Sequence, residues 1–203
     1  ISAVQTPYDG WTGSHEHRGS WRSWKEGQVR PYTQDRLLRF VDWAVRRHPI
    51  DRERIFVSGA GLGGGGAVSL GLEHAGRFAW TLSSSGVHRP AEAPLYATTY
   101  ERVFGLTEWA LPAGGRPAFE RYDQVRAVGG AGVIPLILFS AGRRDRATGW
   151  TQARALWKAL QEARQPHVFS WGRQGEGQKA LPPGGEAEGW PWLVTLRAGS
   201  SLP

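Results

Sequence analysis

Residues 54–80 read RIFVSGAGLGGGGAVSLGLEHAGRFAW, and they restrict this chain to a narrow set of folds. Arg54 to Ser58 is a short run rich in Ile, Phe and Val, which suits a pleated strand. A glycine-rich turn follows, then an amphipathic run from Gly65 to His74, then a second apolar run at about Phe78 to Ser84. Strand, turn, helix, strand is a crossover unit, and such units build parallel sheets. The same alternation continues on both sides. Thr33 to His48 has Leu37, Leu38, Val41, Ala44 and Val45 on one helical face and stops at Pro49. Val133 to Phe139 is nearly all apolar, as in a strand covered on both faces. Trp150 to Arg164 reads as a helix, and Pro166 to Trp171 as the strand after it. Ser2 to Thr6 reads as a buried strand ending at Pro7. A long polar loop over 8–31 carries Trp11, Trp21 and Trp24, and residues 86–130 read as an insertion over one end of the sheet. The predicted fold is a three-layer α/β sandwich around a mostly parallel sheet, in a single domain over residues 1–203.

Composition narrows the functions. The net charge is +7, but its arginines are spread and interleaved with acids, so no basic track for nucleic acid stands out. No run approaches 18 apolar residues, so no transmembrane helix is expected. The start, ISAVQTPYDGW, lacks the basic and apolar regions of a signal peptide. With no cysteine there is no disulfide and no thiolate metal site, and His15 with His17 alone make a poor metal site. No cofactor is expected.

The glycine turn admits two chemical readings. In the first, Gly59, Ala60, Gly61, Leu62 and Gly63 occupy a nucleophile elbow, G-x-S-x-G, with glycine at the serine position. In the second, Gly59, Gly61 and Gly64 spell G-x-G-x-x-G, the dinucleotide turn. That turn requires an acidic residue about 20 positions on, at the end of the next strand. The next strand ends TLSSSGV, without a carboxylate. A structural reading fits either: glycines allow a helix to pack close to a strand.

Sites in parallel α/β sheets form at the carboxyl edge. Three edges carry polar groups here: the Gly59–Gly63 turn, SAGRRD with Asp145 after VIPLILF, and GRQGEGQK with Glu176 after HVFSW. Nucleophile, acid, base is the chain order of an α/β-hydrolase triad.

On these residues the chain resembles the α/β-hydrolase superfamily, and within it bacterial esterases and peptidase-like hydrolases of the dienelactone hydrolase and feruloyl esterase type. PYDGW at 7–11, YTQDRLLRFVDWA at 32–44, DRERIFVSG at 51–59, GGAVSLGLEHAGRFAW at 65–80, LFSAGRRD at 138–145 and RQPHVFSWGRQGEGQKA at 164–180 carry the likeness. The resemblance implies that Gly61 stands at the nucleophile position, Asp145 at the acid and Glu176 at the base, with Gln178 as the other register. It makes the Leu62 N–H an oxyanion donor. It implies a small-molecule ester or acyl ligand, and Trp11, Trp21 and Trp24 could line a site for a sugar or aryl group.

The departures matter as much. Glycine has no attacking atom, and a carboxylate at the base position has no hydroxyl to activate; it could act only on water. Loss of triad members leaves residual catalysis of ~10³–10⁴ over water. The expected protein is esterase-like but without hydrolytic activity. The alternatives are a module that binds a carbohydrate or acyl ligand, and a hydrolase in which Glu176 or Asp145 activates water. The resemblance also implies three strands ahead of residues 2–6. No equivalent is read here, so the chain reads as a fragment of a longer chain, as one whose missing strands come from a partner segment, or as one with a rearranged sheet. Structural alternatives stand beside each site residue. Asp145 could be ion-paired with Arg143, Arg144 or Arg146, Glu176 could be a solvated carboxylate, the tryptophans could be core packing, and His88 could be buried structure.

Overall fold

The computed structural model describes residues 8–172 and 197–198. The expected strand at 2–6 and the base position, Glu176 or Gln178, lie outside the described residues.

The polar loop contains a short antiparallel ribbon, β1 (Ser14–His15) with β2 (Val29–Arg30). Helix α1 (Tyr32–Arg47) follows, and Pro49 lies just beyond its end. The main sheet is built from β3 (Phe56–Ala60), β4 (Trp80–Ser84), β7 (Leu136–Gly142) and β8 (His167–Gly172), in that spatial order and all parallel. Between β3 and β4 runs α2 (Leu62–Glu73), and between β7 and β8 runs α6 (Trp150–Glu162). The mixed α/β architecture with a mostly parallel sheet is the one predicted.

Alternation along the strands divides the core. Ile137 and Phe139 of β7 point into a cluster with Val68 of α2 and Leu156 and Leu160 of α6. Leu136 and Leu138 point the other way, into a cluster with Trp80 and Leu82. Both β4 and β7 are buried along their whole length, as strands covered on both faces are, and this burial takes in the polar Thr81, Ser83, Ser84 and Ser140.

Residues 86–130 form more than an overhanging insertion. They contain α3 (Ala97–Phe104), a ribbon of β5 (Pro112–Ala113) with β6 (Arg116–Pro117), α4 (Ala118–Arg121) and α5 (Gln124–Gly129). Val87, Tyr100, Val103, Phe104, Ala113, Ala118 and Tyr122 give this segment an apolar core of its own, joined by Val29 of β2. Val128 of α5 joins the cluster on the sheet.

One element differs from the sequence expectation, and a second adds to it. Helix α2 begins at Leu62, three residues early, so Gly63 to Gly66 are helical despite a propensity cost of ~1 kcal/mol each. Close packing explains Gly64 to Gly66. A Cβ at Gly65 would overlap the Val87 carbonyl oxygen, and one at Gly66 the Gly10 carbonyl oxygen. The other feature the sequence left open is the burial of the α1 stripe: of its five positions Ala44 alone is in the core, and the neighbouring Phe40 and Trp43 are exposed. The stripe faces the outer side of β3. Among the described residues β3 pairs with β4 alone. A groove of about 260 Å³ runs between Leu37, Leu38, Phe40 and Val41 on the helix and Ile55 to Ser58 on the strand.

Candidate active site

The turn after β3 is the sharpest feature of the carboxyl edge. Gly61 takes φ +55° and ψ −122°, a conformation outside the reach of an unstrained L-residue. Its N–H donates to the Ser84 carbonyl at 2.9 Å, tying the turn to the end of β4. Its carbonyl accepts from Gly65 at 3.1 Å and Val87 at 3.2 Å. Gly59 makes the turn possible, because a Cβ there would overlap the Gly63 carbonyl. At Gly61 itself a Cβ would meet only the Tyr96 hydroxyl, at 3.6 Å. Leu62 is the first residue of α2, and the first N–H groups of a helix have no intrahelical acceptor and lie at its positive end.

A pocket of about 420 Å³ opens over this turn, lined by Gly59 to Gly63 with Tyr8, Asp9, Trp11 and Tyr96. Its far wall is held in an unusual conformation. Gly10 and Trp11 both have positive φ, +61° and +58°. Asp9 holds them: its Oδ1 accepts from Trp11 N at 3.0 Å and its Oδ2 from the Thr33 hydroxyl at 2.5 Å, linking the wall to the start of α1. Burial of the Asp9 carboxyl raises its pKa above the ordinary value, and these hydrogen bonds partly offset the rise. The Trp11 ring lies against Gly63, where a Cβ would be 3.4 Å from Cζ2.

Asp145 lies three residues beyond β7, at the same edge of the same parallel sheet as Gly61. Its carboxylate is held by a turn, and among the described residues it makes no ion pair. Oδ1 accepts from Ala147 N at 2.8 Å and Thr148 N at 3.1 Å, and Oδ2 from the Thr148 hydroxyl at 2.6 Å. Arg143 instead lies over the Trp150 ring, 6.0 Å from its centroid. Glu176 is outside the described residues, so the structure brings two of the three candidate positions to one edge.

His88 belongs to the core. It is fully buried, and its Nδ1 donates to Gln124 Oε1 at 2.7 Å. That direction follows from Gln124, whose Nε2 donates to the Gly65 carbonyl at 2.6 Å and so leaves Oε1 as acceptor. Burial lowers the His88 pKa to about 4, so the ring is neutral at pH 7. The three tryptophans separate. Trp11 lines the pocket, Trp24 stacks on His15 with centroids 5.0 Å apart, and Trp21 is fully exposed. Tyr8, Asp9 and Tyr96 escaped the sequence reading of the site. Tyr8 and Asp9 stood in the quoted PYDGW segment with no pattern to set them apart, and Tyr96 reaches the pocket only through tertiary folding. Among the described residues no cluster of three metal-ligating side chains occurs, and no helix is long and apolar enough to cross a membrane.

A model of the prolyl oligopeptidase family matches residues 10–175, most of the chain. The chain belongs to that family. This membership places it among the esterase- and peptidase-like α/β-hydrolases and removes the dinucleotide reading of Gly59, Gly61 and Gly64. A comparison with curated proteins gives no match. Solved structures share the fold at low identity. S-formylglutathione hydrolase from Agrobacterium tumefaciens is 20% identical with TM-score 0.55, over 70% of this chain and 48% of that one. Acylaminoacyl peptidase from Pyrococcus horikoshii is 14% identical with TM-score 0.59, over 73% and 24%. An acetyl ester-xyloside bifunctional hydrolase from Caldicellulosiruptor lactoaceticus is 16% identical with TM-score 0.56, over 71% and 55%. The chain therefore spans from a quarter to just over half the length of these structures.

Proposed function

We propose that this family member keeps the pocket of an esterase-like hydrolase and has lost its hydrolysis, so that it binds an acyl, ester or sugar ligand without cleaving it. The observation that carries this reading is Gly61: elbow geometry in front of a pocket of about 420 Å³, with no side-chain atom to attack a carbonyl. In this reading Gly61 occupies the nucleophile position, Asp145 the acid and Glu176 the base, and Leu62 N–H is one oxyanion donor. An ester carbonyl resting there meets a polarising N–H but no nucleophile, and its ground state simply persists. The aromatic walls, Tyr8, Trp11 and Tyr96, suit an aryl, acyl or sugar group.

The side of β3 that has no strand against it among the described residues, and the half-buried α1 stripe, support a second part of the proposal: further strands of the sheet come from outside the described residues, from residues 2–6 together with a longer chain or a partner. The test of the first part is turnover of p-nitrophenyl acetate by the protein as it stands. We expect no release above buffer. Esterase-like turnover abolished by Glu176→Ala would replace this reading with a hydrolase that activates water through a carboxylate.

A further inference from the structure

We propose that Tyr96 is the ligand-orienting residue of the pocket, its phenol hydrogen-bonding an oxygen of the group bound over Gly61. The inference rests on the reading that the pocket is kept for binding. Among the described residues the Tyr96 hydroxyl makes no hydrogen bond, although it lines the pocket and lies 3.6 Å from where a Cβ at position 61 would be. Any side chain at position 61 would start 3.6 Å from this hydroxyl, and nothing else lies within 4 Å of that point. With glycine, that volume is open and the phenol faces it, so a carbonyl, carboxylate or hydroxyl oxygen of a ligand takes the vacated place. The acyl or aryl body of the ligand then lies against Tyr8, Trp11 and Leu62.

The phenol is held in advance of binding. The Tyr96 ring packs on the cluster of Tyr100, Val103 and Phe104. The backbone at Tyr96 donates to the Ala93 carbonyl at 3.2 Å and accepts from Tyr100 N at 3.0 Å. Leu95 N donates to the Ala147 carbonyl at 3.1 Å, and Ala147 N donates to Asp145 Oδ1 at 2.8 Å. Asp145 is thus a positioning residue: its carboxylate shapes the turn to which the segment before Tyr96 is anchored. A fixed phenol loses little freedom when it binds, which favours affinity.

The test uses an isosteric pair of probes, acetophenone and α-methylstyrene, which differ in a carbonyl oxygen against a methylene. Both are titrated by calorimetry into the whole chain and into Tyr96→Phe, Asp145→Asn and Asp145→Ala, with circular dichroism on each variant. We expect the parent to prefer acetophenone, and Tyr96→Phe to reduce that preference about fivefold, the net value of one hydrogen bond. Asp145→Asn, which still accepts from Ala147 and Thr148, should keep the preference. Asp145→Ala should lose it. A full preference in folded Tyr96→Phe overturns the inference and leaves the pocket reading standing. A parent that binds neither probe overturns both.

Discussion

Gly61 holds a backbone conformation that other residues reach only under strain, and here the strain and the missing nucleophile are one fact. A side chain at position 61 meets open pocket, so its cost is conformational rather than steric. Gly61→Ala should therefore destabilise the fold by roughly 1–3 kcal/mol, read from urea midpoints. A neutral substitution would show that the turn relaxes. His88 is the second informative residue. Its pKa falls from 6.5 to about 4 on folding, so between those values the unfolded chain binds a proton that the folded chain does not. Its contribution is complete above pH 6.5 and is lost as pH falls toward 4, a loss of about 3 kcal/mol. The raised pKa of Asp9 acts in the opposite sense, contributing stability at low pH that is lost as pH rises through its folded value. Urea unfolding from pH 7 to 4 should show a steep fall that is shallower in His88→Gln. Equal slopes in the two proteins would mean that His88 is not buried neutral.

At the scale of the element, α2 shows how the sequence was legible and where legibility stopped. The turn, the helix and the flanking strands were visible in RIFVSGAGLGGGG because strand, glycine turn and helix follow one another locally. The helix start was misplaced by three residues because Gly63 to Gly66 are poor helix formers, and their reason for being there is tertiary. They let the Gly10–Trp11 wall and the Val87 backbone approach the helix axis. Gly65→Ala should cost roughly 1–3 kcal/mol in a thermal or denaturant melt, even though alanine is the better helix former. Gly76→Ala is the control. It has open space around it and no positive φ, so it should be neutral or stabilise by about 0.4–1 kcal/mol. The reverse order would contradict the packing account. Helix α1 shows the period its sequence predicts, while the burial of that stripe was not legible, since an apolar stripe records what a helix is made to cover, not what covers it among the described residues.

For the whole molecule, the parallel sheet, its strand sequence and the carboxyl-edge location of the site were readable from alternating elements. The pocket walls were not: Tyr8, Asp9 and Tyr96 come together from separate segments. The outer side of β3, flanked by Phe40, Trp43 and Phe56, carries no paired strand among the described residues, and sheets normally cover such a surface. Sedimentation velocity should show concentration-dependent association of the chain alone, reduced by Phe40→Glu with Trp43→Glu. A monomer at all concentrations would argue against a strand-accepting edge. The central claim concerns chemistry lost within a retained frame, and repair tests it most directly. Gly61→Ser alone should do little, since an unassisted hydroxyl is a weak nucleophile at neutral pH. Gly61→Ser with Glu176→His restores nucleophile and base beside Asp145, and should give measurable p-nitrophenyl acetate hydrolysis, limited by its oxyanion donors, each worth ~10²–10³ in rate. Activity in the folded double variant, with none in the parent or in Gly61→Ser, is the result this account predicts. A parent already active at esterase-like rates, or a folded double variant no faster than the parent, would contradict it.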